Sequence, residues 1–305
     1  MKKTDLTMDF ETFIEFMREK VQICLGARAS IEHKTVLKGN GMKLQALQIS
    51  QDTMILCPVI YLERYYEDYK EGKPVAACVK EVCDVFTNNQ FEQQEAEALV
   101  ESIKSWEMSR RVVHPILLPY EGNEELLETL VYRKYLDLAL CYSLCLEHET
   151  NGNMTVRVSR GLLETWGISE EELYAQAFDN MKYAGYHIMS IREVLSNMGM
   201  PCCLEDEIDD CSFSVLTNRR KLYGAAGILN TDLLEAFSEK VKQNLFLLPS
   251  SLHEMIIVPD DGKMNAQEYA EMITDVNGTM VRKEECLADH AYYFDRERGE
   301  VRMAG

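Results

Sequence analysis

The chain lacks the short signatures that would assign a reaction outright. No Cys-x-x-Cys occurs, which removes a thioredoxin-type dithiol and the basic spacing of a zinc ribbon. The six histidines form no His-x-x-His or His-Glu-x-x-His pair, so no metalloprotease or deaminase signature is present. Gly39-Asn-Gly41 and Gly224-Ala-Ala-Gly227 have neither the spacing nor the lysine of a phosphate loop, and they read as a turn and a close-packed segment. No apolar run approaches the roughly 18 residues of a membrane helix; the most apolar stretch, 54–62, has strand length. No membrane association is expected. The start of the chain carries Lys2 and Lys3 but continues with Asp5, Asp9 and Glu11, so no export signal is expected and the reading is cytoplasmic.

Positive charge is also scarce. Lys and Arg total 32 against 51 Asp and Glu, a formal net charge of −19, and the mean field therefore repels phosphate backbones and anionic membranes. The cations that exist, Lys2-Lys3, Arg110-Arg111 and Arg219-Arg220-Lys221, are scattered without interleaved aromatics, and direct nucleic-acid binding is not expected.

What is present is the composition of a folded protein, 46% hydrophobic and 27% charged. At 305 residues the chain is long enough for one large or two ordinary domains and a core that needs no disulfide, metal or cofactor to fold. Most of the ten cysteines lie in apolar runs, as buried thiols of a reducing compartment do.

The periodicity predicts a helix over 9–25 stopped by Gly26, then strands near 29–37, 42–50 and 54–60. Helices follow at 61–70, 74–88 and 92–106, the second opened by a proline suited to a first helical turn. A strand at 112–118 changes the pattern, and with the dibasic pair 110–111 it places a domain boundary between lobes at 1–108 and 111–305. Ser169 and Glu172 form a capping-box sequence flanked by Ile168 and Leu173, and Asn265 and Glu268 form another flanked by Met264 and Tyr269. Strand patterns at 213–217, 222–229, 245–248 and 254–258, a helix at 231–241 and a terminal hairpin turning at Gly299 complete an α+β reading of mixed sheets with flanking helices.

Reactive residue types are densest at 247–259, where Ser250, Ser251, His253 and Glu254 lie between two apolar runs. A nucleophile and a base are both available there for a hydrolase or transferase, with Asp260 or Asp261 to orient the base, but the Gly-x-Ser-x-Gly elbow is absent. Along an extended chain Ser251 and His253 share a side that Glu254 does not. The alternative is a strand-turn-strand whose polar side chains bond exposed backbone.

Tyr61, Tyr65, Tyr66 and Tyr69 on one helix suit a binding surface, or a half-buried helix with inward rings. The acidic clusters 205–207, 209–210 and 260–261 lack calcium-loop spacing, and Cys202, Cys203 and Cys211 lack an identifiable fourth ligand, so no metal site is assigned, while Asp260 and Asp261 stay candidate binding residues.

Five blocks taken together resemble an uncharacterised bacterial domain family of anaerobic Gram-positive species over nearly the whole chain. They are Leu56-Cys-Pro-Val-Ile-Tyr-Leu-Glu-Arg-Tyr-Tyr-Glu-Asp-Tyr69, Trp166-Gly-Ile-Ser-Glu-Glu-Glu-Leu173, Leu216-Thr-Asn-Arg-Arg-Lys-Leu-Tyr-Gly-Ala-Ala226, Leu248-Pro-Ser-Ser-Leu-His-Glu254 and Tyr292-Tyr-Phe-Asp295. Residues 153–277 are also similar to a second uncharacterised bacterial family. Neither resemblance implies catalytic residues. The leading expectation is an acidic, non-enzymatic binding or regulatory protein whose partner is a protein or small molecule. A hydrolase or transferase around Ser250–Glu254 is the alternative, and an acidic mimic of nucleic acid the third.

Overall fold

The computed structural model describes residues 8–51, 54–148, 152–197, 199 and 213–305. It is an α+β protein with three antiparallel sheets, and it divides into two units, 1–38 with 42–105, and 39–41 with 106–305.

In the first unit Asp9 accepts the Thr12 amide at 2.8 Å and starts helix α1 (Phe10–Leu25), which Gly26 ends at φ +80. The helix buries Phe13, Ile14, Met17 and Val21 at the predicted three- and four-residue steps. Strands β1 (Ala29–Leu37), β2 (Lys43–Gln51) and β3 (Val59–Tyr61) form a sheet in chain order. The third strand is shorter than the apolar run predicts, because residues 54–58 are irregular and only the part after Pro58 joins the ladder. Helices α2 (Glu63–Lys70), α3 (Val75–Asn88) and α4 (Gln93–Lys104) follow, α3 directly after Pro74. The buried faces of α2 and α3 join α1 and the sheet in one core that includes Leu47, Ile49, Val82 and Phe86.

The second unit carries two sheets. After the short helix α5 (Trp106–Ser109) and strand β4 (Val113–Pro119) come α6 (Glu124–Leu127), β5 (Tyr132–Tyr135), β6 (Leu138–His148) and β7 (Gly152–Arg157). The long strand β6 is central: β4 runs along one side, while β5 and β7 share the other, Tyr132 lying opposite Cys141 and Arg157 opposite Ser143. Helices α7 (Arg160–Trp166) and α8 (Glu170–Met181) lead to β8 (His187–Ser190), α9 (Ile191–Asn197) and β9 (Ser214–Thr217). Helix α10 (Thr231–Val241), β10 (Leu245–Ser251), β11 (Glu254–Pro259), α11 (Ala266–Thr279), β12 (Tyr292–Asp295) and β13 (Glu300–Met303) complete the chain. The second sheet is ordered β13-β12-β10-β11-β9-β8. The terminal hairpin turns at Gly299 with φ +65, as the sequence predicts.

Three local expectations separate here. Asn265 forms its full capping box with Glu268, and Tyr269 and Met264 join one apolar cluster. Ser169 caps α8 by accepting the Glu172 amide at 3.1 Å, but Glu172 does not reach back; its carboxylate accepts the Trp106 indole N–H at 3.0 Å. The predicted strand at 222–229 is instead a 3₁₀ helix, Gly224–Leu229, fully buried through Ile228. A Cβ on Gly224 would collide with the Thr217 side chain and the His253 carbonyl, and one on Gly227 would meet Leu216 at 2.8 Å. The two glycines let this segment press against Thr217 and Leu216 of β9, a close approach that hydrophobic periodicity does not encode.

Candidate functional site

Ser250, Ser251, His253 and Glu254 sit at the β10–β11 turn, where their polar atoms find partners in the protein. The Ser251 hydroxyl accepts the His253 backbone amide at 3.0 Å rather than meeting the imidazole, and the Ser250 hydroxyl donates to Glu254 Oε1 at 3.2 Å. The His253 ring faces the other way: its Nδ1 accepts the Tyr223 amide at 3.0 Å and its Nε2 lies 3.9 Å from Glu285. The serine–histidine relay of the hydrolase expectation is therefore not assembled. These side chains close a hairpin and hold the left-handed Tyr223, at φ 53, at the start of the 3₁₀ helix.

Asp260 accepts the Tyr293 hydroxyl at 2.7 Å, and Asp261 pairs with Lys263 at 2.7 Å; neither orients His253. The tyrosines of α2 are equally occupied. Tyr65 is buried, Tyr66 and Tyr69 pack against Phe13, and their hydroxyls hold the two backbone groups of Met8. Tyr61 is not on this helix as the sequence predicts but is the last residue of β3, because its backbone pairs with Ala46 of β2, and Lys38 lies over its ring at 4.4 Å. The inward-ring alternative describes this helix better than a free binding surface. The clusters at 205–207 and 209–210, with Cys202, Cys203 and Cys211, lie outside the described residues. Among the described residues no group of three or more His, Cys, Asp or Glu is placed to hold a metal ion.

The uncommitted polar groups lie elsewhere, in a pocket of about 510 Å³ in the second unit. One wall comes from the first of its sheets: Arg111 ahead of β4, His114 on β4, and Cys145 and Glu147 on β6. The facing wall comes from the end of α8, the turn after it, and the loop 218–223 that leaves β9. Asn180 fastens these walls, its amide donating to the Arg110 and Val113 carbonyls at 2.7 and 2.8 Å.

Within the loop, Asn218 makes a ring with both backbone groups of Leu222, at 2.8 and 3.3 Å, and Lys221 and Tyr223 adopt positive φ. This tight turn projects Arg219 and Arg220 into the pocket. Arg220 uses Nε on Glu147 at 3.0 Å and one NH1 hydrogen on the Cys145 carbonyl at 3.1 Å. A guanidinium has five N–H donors, and with the Cys145 thiol also against this head not all of them are taken by partners among the described residues, while the head itself is already fixed in place. Arg219 has no carboxylate within 4 Å among the described residues.

His114 faces Arg220. Burial, with the guanidinium's charge added, pushes its pKa down to about 4, so the imidazole is neutral at pH 7. Its Nδ1 is enclosed with no hydrogen-bond partner among the described residues. Burial also raises the phenol of Tyr186, which bonds Asn218, and the thiol of Cys145. The site is rich in fixed cationic donors and poor in free acceptors. A larger cavity of about 650 Å³ contrasts with it: there Asp137 takes the Tyr292 hydroxyl at 2.9 Å and lies 3.5 Å from His290, and Asp289 takes the Asn277 amide at 2.7 Å.

The sequence shows these arginines as two separate basic clusters and His114 as an isolated histidine. What brings them together is the pairing of β4 with β6 and the return of the chain through β9. The available sign was the run Thr217-Asn-Arg-Arg-Lys-Leu-Tyr-Gly224, where an Asx-type turn residue precedes two arginines within otherwise apolar sequence.

With this geometry in place, the comparisons with known proteins place the chain at family level. It belongs to a family of unknown function, DUF5688, whose model matches residues 10–296. No curated protein and no solved structure matches it.

Proposed function

We propose that this chain is a binding protein and that its ligand is a small anion held in the arginine-walled pocket. The observation that carries the reading is that Arg219 and Arg220 converge on one concavity with guanidinium donors to spare, in a chain whose net charge is −19. An acidic protein gains nothing in solubility from gathering cations in a cleft, whereas oriented guanidinium groups suit carboxylate and phosphate oxygens. Neutral His114 lines the same space without adding a positive charge. The volume falls within the roughly 300–1,000 Å³ of small-molecule sites.

A cytoplasmic setting accompanies this proposal, since the seven described cysteines are free thiols and Cys83 and Cys141 are shielded with pKa values near 12.

Native mass spectrometry of gently purified protein tests the reading. An anionic adduct on the wild type that is lost in R219A/R220A is the expected result. An adduct of equal occupancy in both proteins, or wild type that stays bare after incubation with millimolar phosphate and citrate, overturns it.

A further inference from the structure

The pocket presents an aromatic face beside its arginines. Tyr183 is 79% exposed and has no hydrogen-bond, ring or cation partner for its side chain among the described residues. That sets it apart from Tyr66, Tyr69, Tyr292 and Tyr293, whose hydroxyls are all spent inside the fold. Its position is nevertheless fixed by the backbone. The Tyr183 amide donates to the Asn180 carbonyl at 3.0 Å, and the next residue, Ala184, accepts the Arg219 amide at 3.4 Å.

Gly185 then lies flat against the Arg219 side chain. A Cβ there would sit 3.3 Å from Arg219 Cβ and 3.5 Å from its Nε, and the backbone holds φ +68, which glycine adopts without strain. The turn carrying Tyr183 is thus pressed onto the stem of Arg219, so an unoccupied ring and an unpaired guanidinium line one cavity.

We infer that the ligand is a flat unsaturated ring joined to a phosphate, as in a nucleoside monophosphate, with Tyr183 taking the ring and Arg219 and Arg220 the phosphate. The inference rests on the anion-pocket reading above and specifies its ligand class. Sequence-tolerant stacking on a tyrosine face is available to any such ring. Two guanidinium forks, with Arg111 on the same lining, suit a phosphate of several oxygens better than a single carboxylate. Glu147 holds Arg220 through Nε and repels phosphate on that side, which directs the anion to Arg219 and to the remaining Arg220 donors.

Isothermal titration of the full chain with AMP, phenyl phosphate, ribose 5-phosphate, inorganic phosphate, adenosine and citrate tests the class. AMP and phenyl phosphate are expected to bind about tenfold or more tightly than ribose 5-phosphate, with adenosine weaker than AMP. Y183A should erase the advantage of the ring-bearing phosphates and Y183F should keep it. The exposed position of Tyr183 makes both variants fold-neutral, which the unfolding midpoint verifies. Ribose 5-phosphate or inorganic phosphate binding as tightly as AMP overturns the ring assignment, and so does an unchanged preference in Y183A. Citrate binding more tightly than every phosphate overturns the phosphate assignment. In those cases the pocket remains an anion site; if no anion binds, both readings fall.

Discussion

Two polar regions of the second unit, about 30 residues apart in sequence, behave in opposite ways. The turn at Ser250–Glu254 is dense in reactive residue types, yet its groups satisfy one another: Ser251 holds the His253 amide, Ser250 holds Glu254, and the His253 ring holds Tyr223. The loop at 218–223 has fewer catalytic-looking residues, but its turn is closed by Asn218 and by backbone contacts, leaving the Arg219 head and part of the Arg220 head without a carboxylate or carbonyl partner among the described residues. A binding site is marked by donors and acceptors left over after folding, not by their density along the chain.

The two regions meet at Gly224, and the largest expected effect lies there. A methyl group at this position runs into the His253 carbonyl and the Thr217 hydroxyl, which are hydrogen-bonded to each other at 2.9 Å. Gly224→Ala should cost about 3 kcal/mol in chemical denaturation by overpacking and should weaken anion binding as well, because it disturbs the loop and the hairpin together. Wild-type stability in G224A would separate the two regions and remove this link.

The next effect is a pH dependence. Burial beside Arg220 holds the His114 pKa down to about 4 in the folded chain against the ordinary 6.5 of an unfolded imidazole, so on acidification the unfolded state takes up the proton first. Stability from this residue is fully present above about pH 6.5 and is lost as pH falls towards 4, by about 3 kcal/mol at most. Denaturation midpoints of wild type and H114Q across pH 4–8 should show the steeper acid loss in wild type. Parallel profiles would mean that the imidazole is not enclosed beside Arg220.

Smaller effects sharpen the contrast. R219A removes a guanidinium with no described carboxylate partner, so it should leave the unfolding midpoint in place while lowering anion affinity by about 2 kcal/mol, roughly thirtyfold. S251A should do the reverse. Loss of one hydrogen bond to the hairpin amide costs about 1 kcal/mol of stability, with anion affinity unchanged in the same titration. If S251A abolished ligand turnover or binding while the fold stayed intact, the hairpin would be the site.

How far the sequence reveals this depends on the range of the interactions. The Asp9 cap, the Asn265 box, the Gly26 stop and the Gly299 hairpin are set by residues within a few positions of one another, and their chemistry is readable in order. Where a distant group competes, local reading falls short: Trp106 takes the Glu172 carboxylate that the local pattern assigns to a capping box. The buried run 222–229 is apolar enough for a strand, but the close approach to Thr217, Leu216 and His253 selects a 3₁₀ helix. The pocket is less visible still. Arg111, His114, Tyr183 and Arg219 span more than 100 residues, and only strand pairing places them around one space. The four residues at 250–254 draw attention because they are adjacent in sequence, which says nothing of whether their polar atoms remain free.

The most direct measurement of the central claim follows the arginine side-chain Nε–Hε signals by NMR during a phosphate titration of the intact chain at low salt. Saturable shifts confined to Arg219 and Arg220, with Arg18 and Arg298 unmoved, are the predicted result. Uniform weak drift of all arginine signals, or none, would contradict an anion site in this pocket.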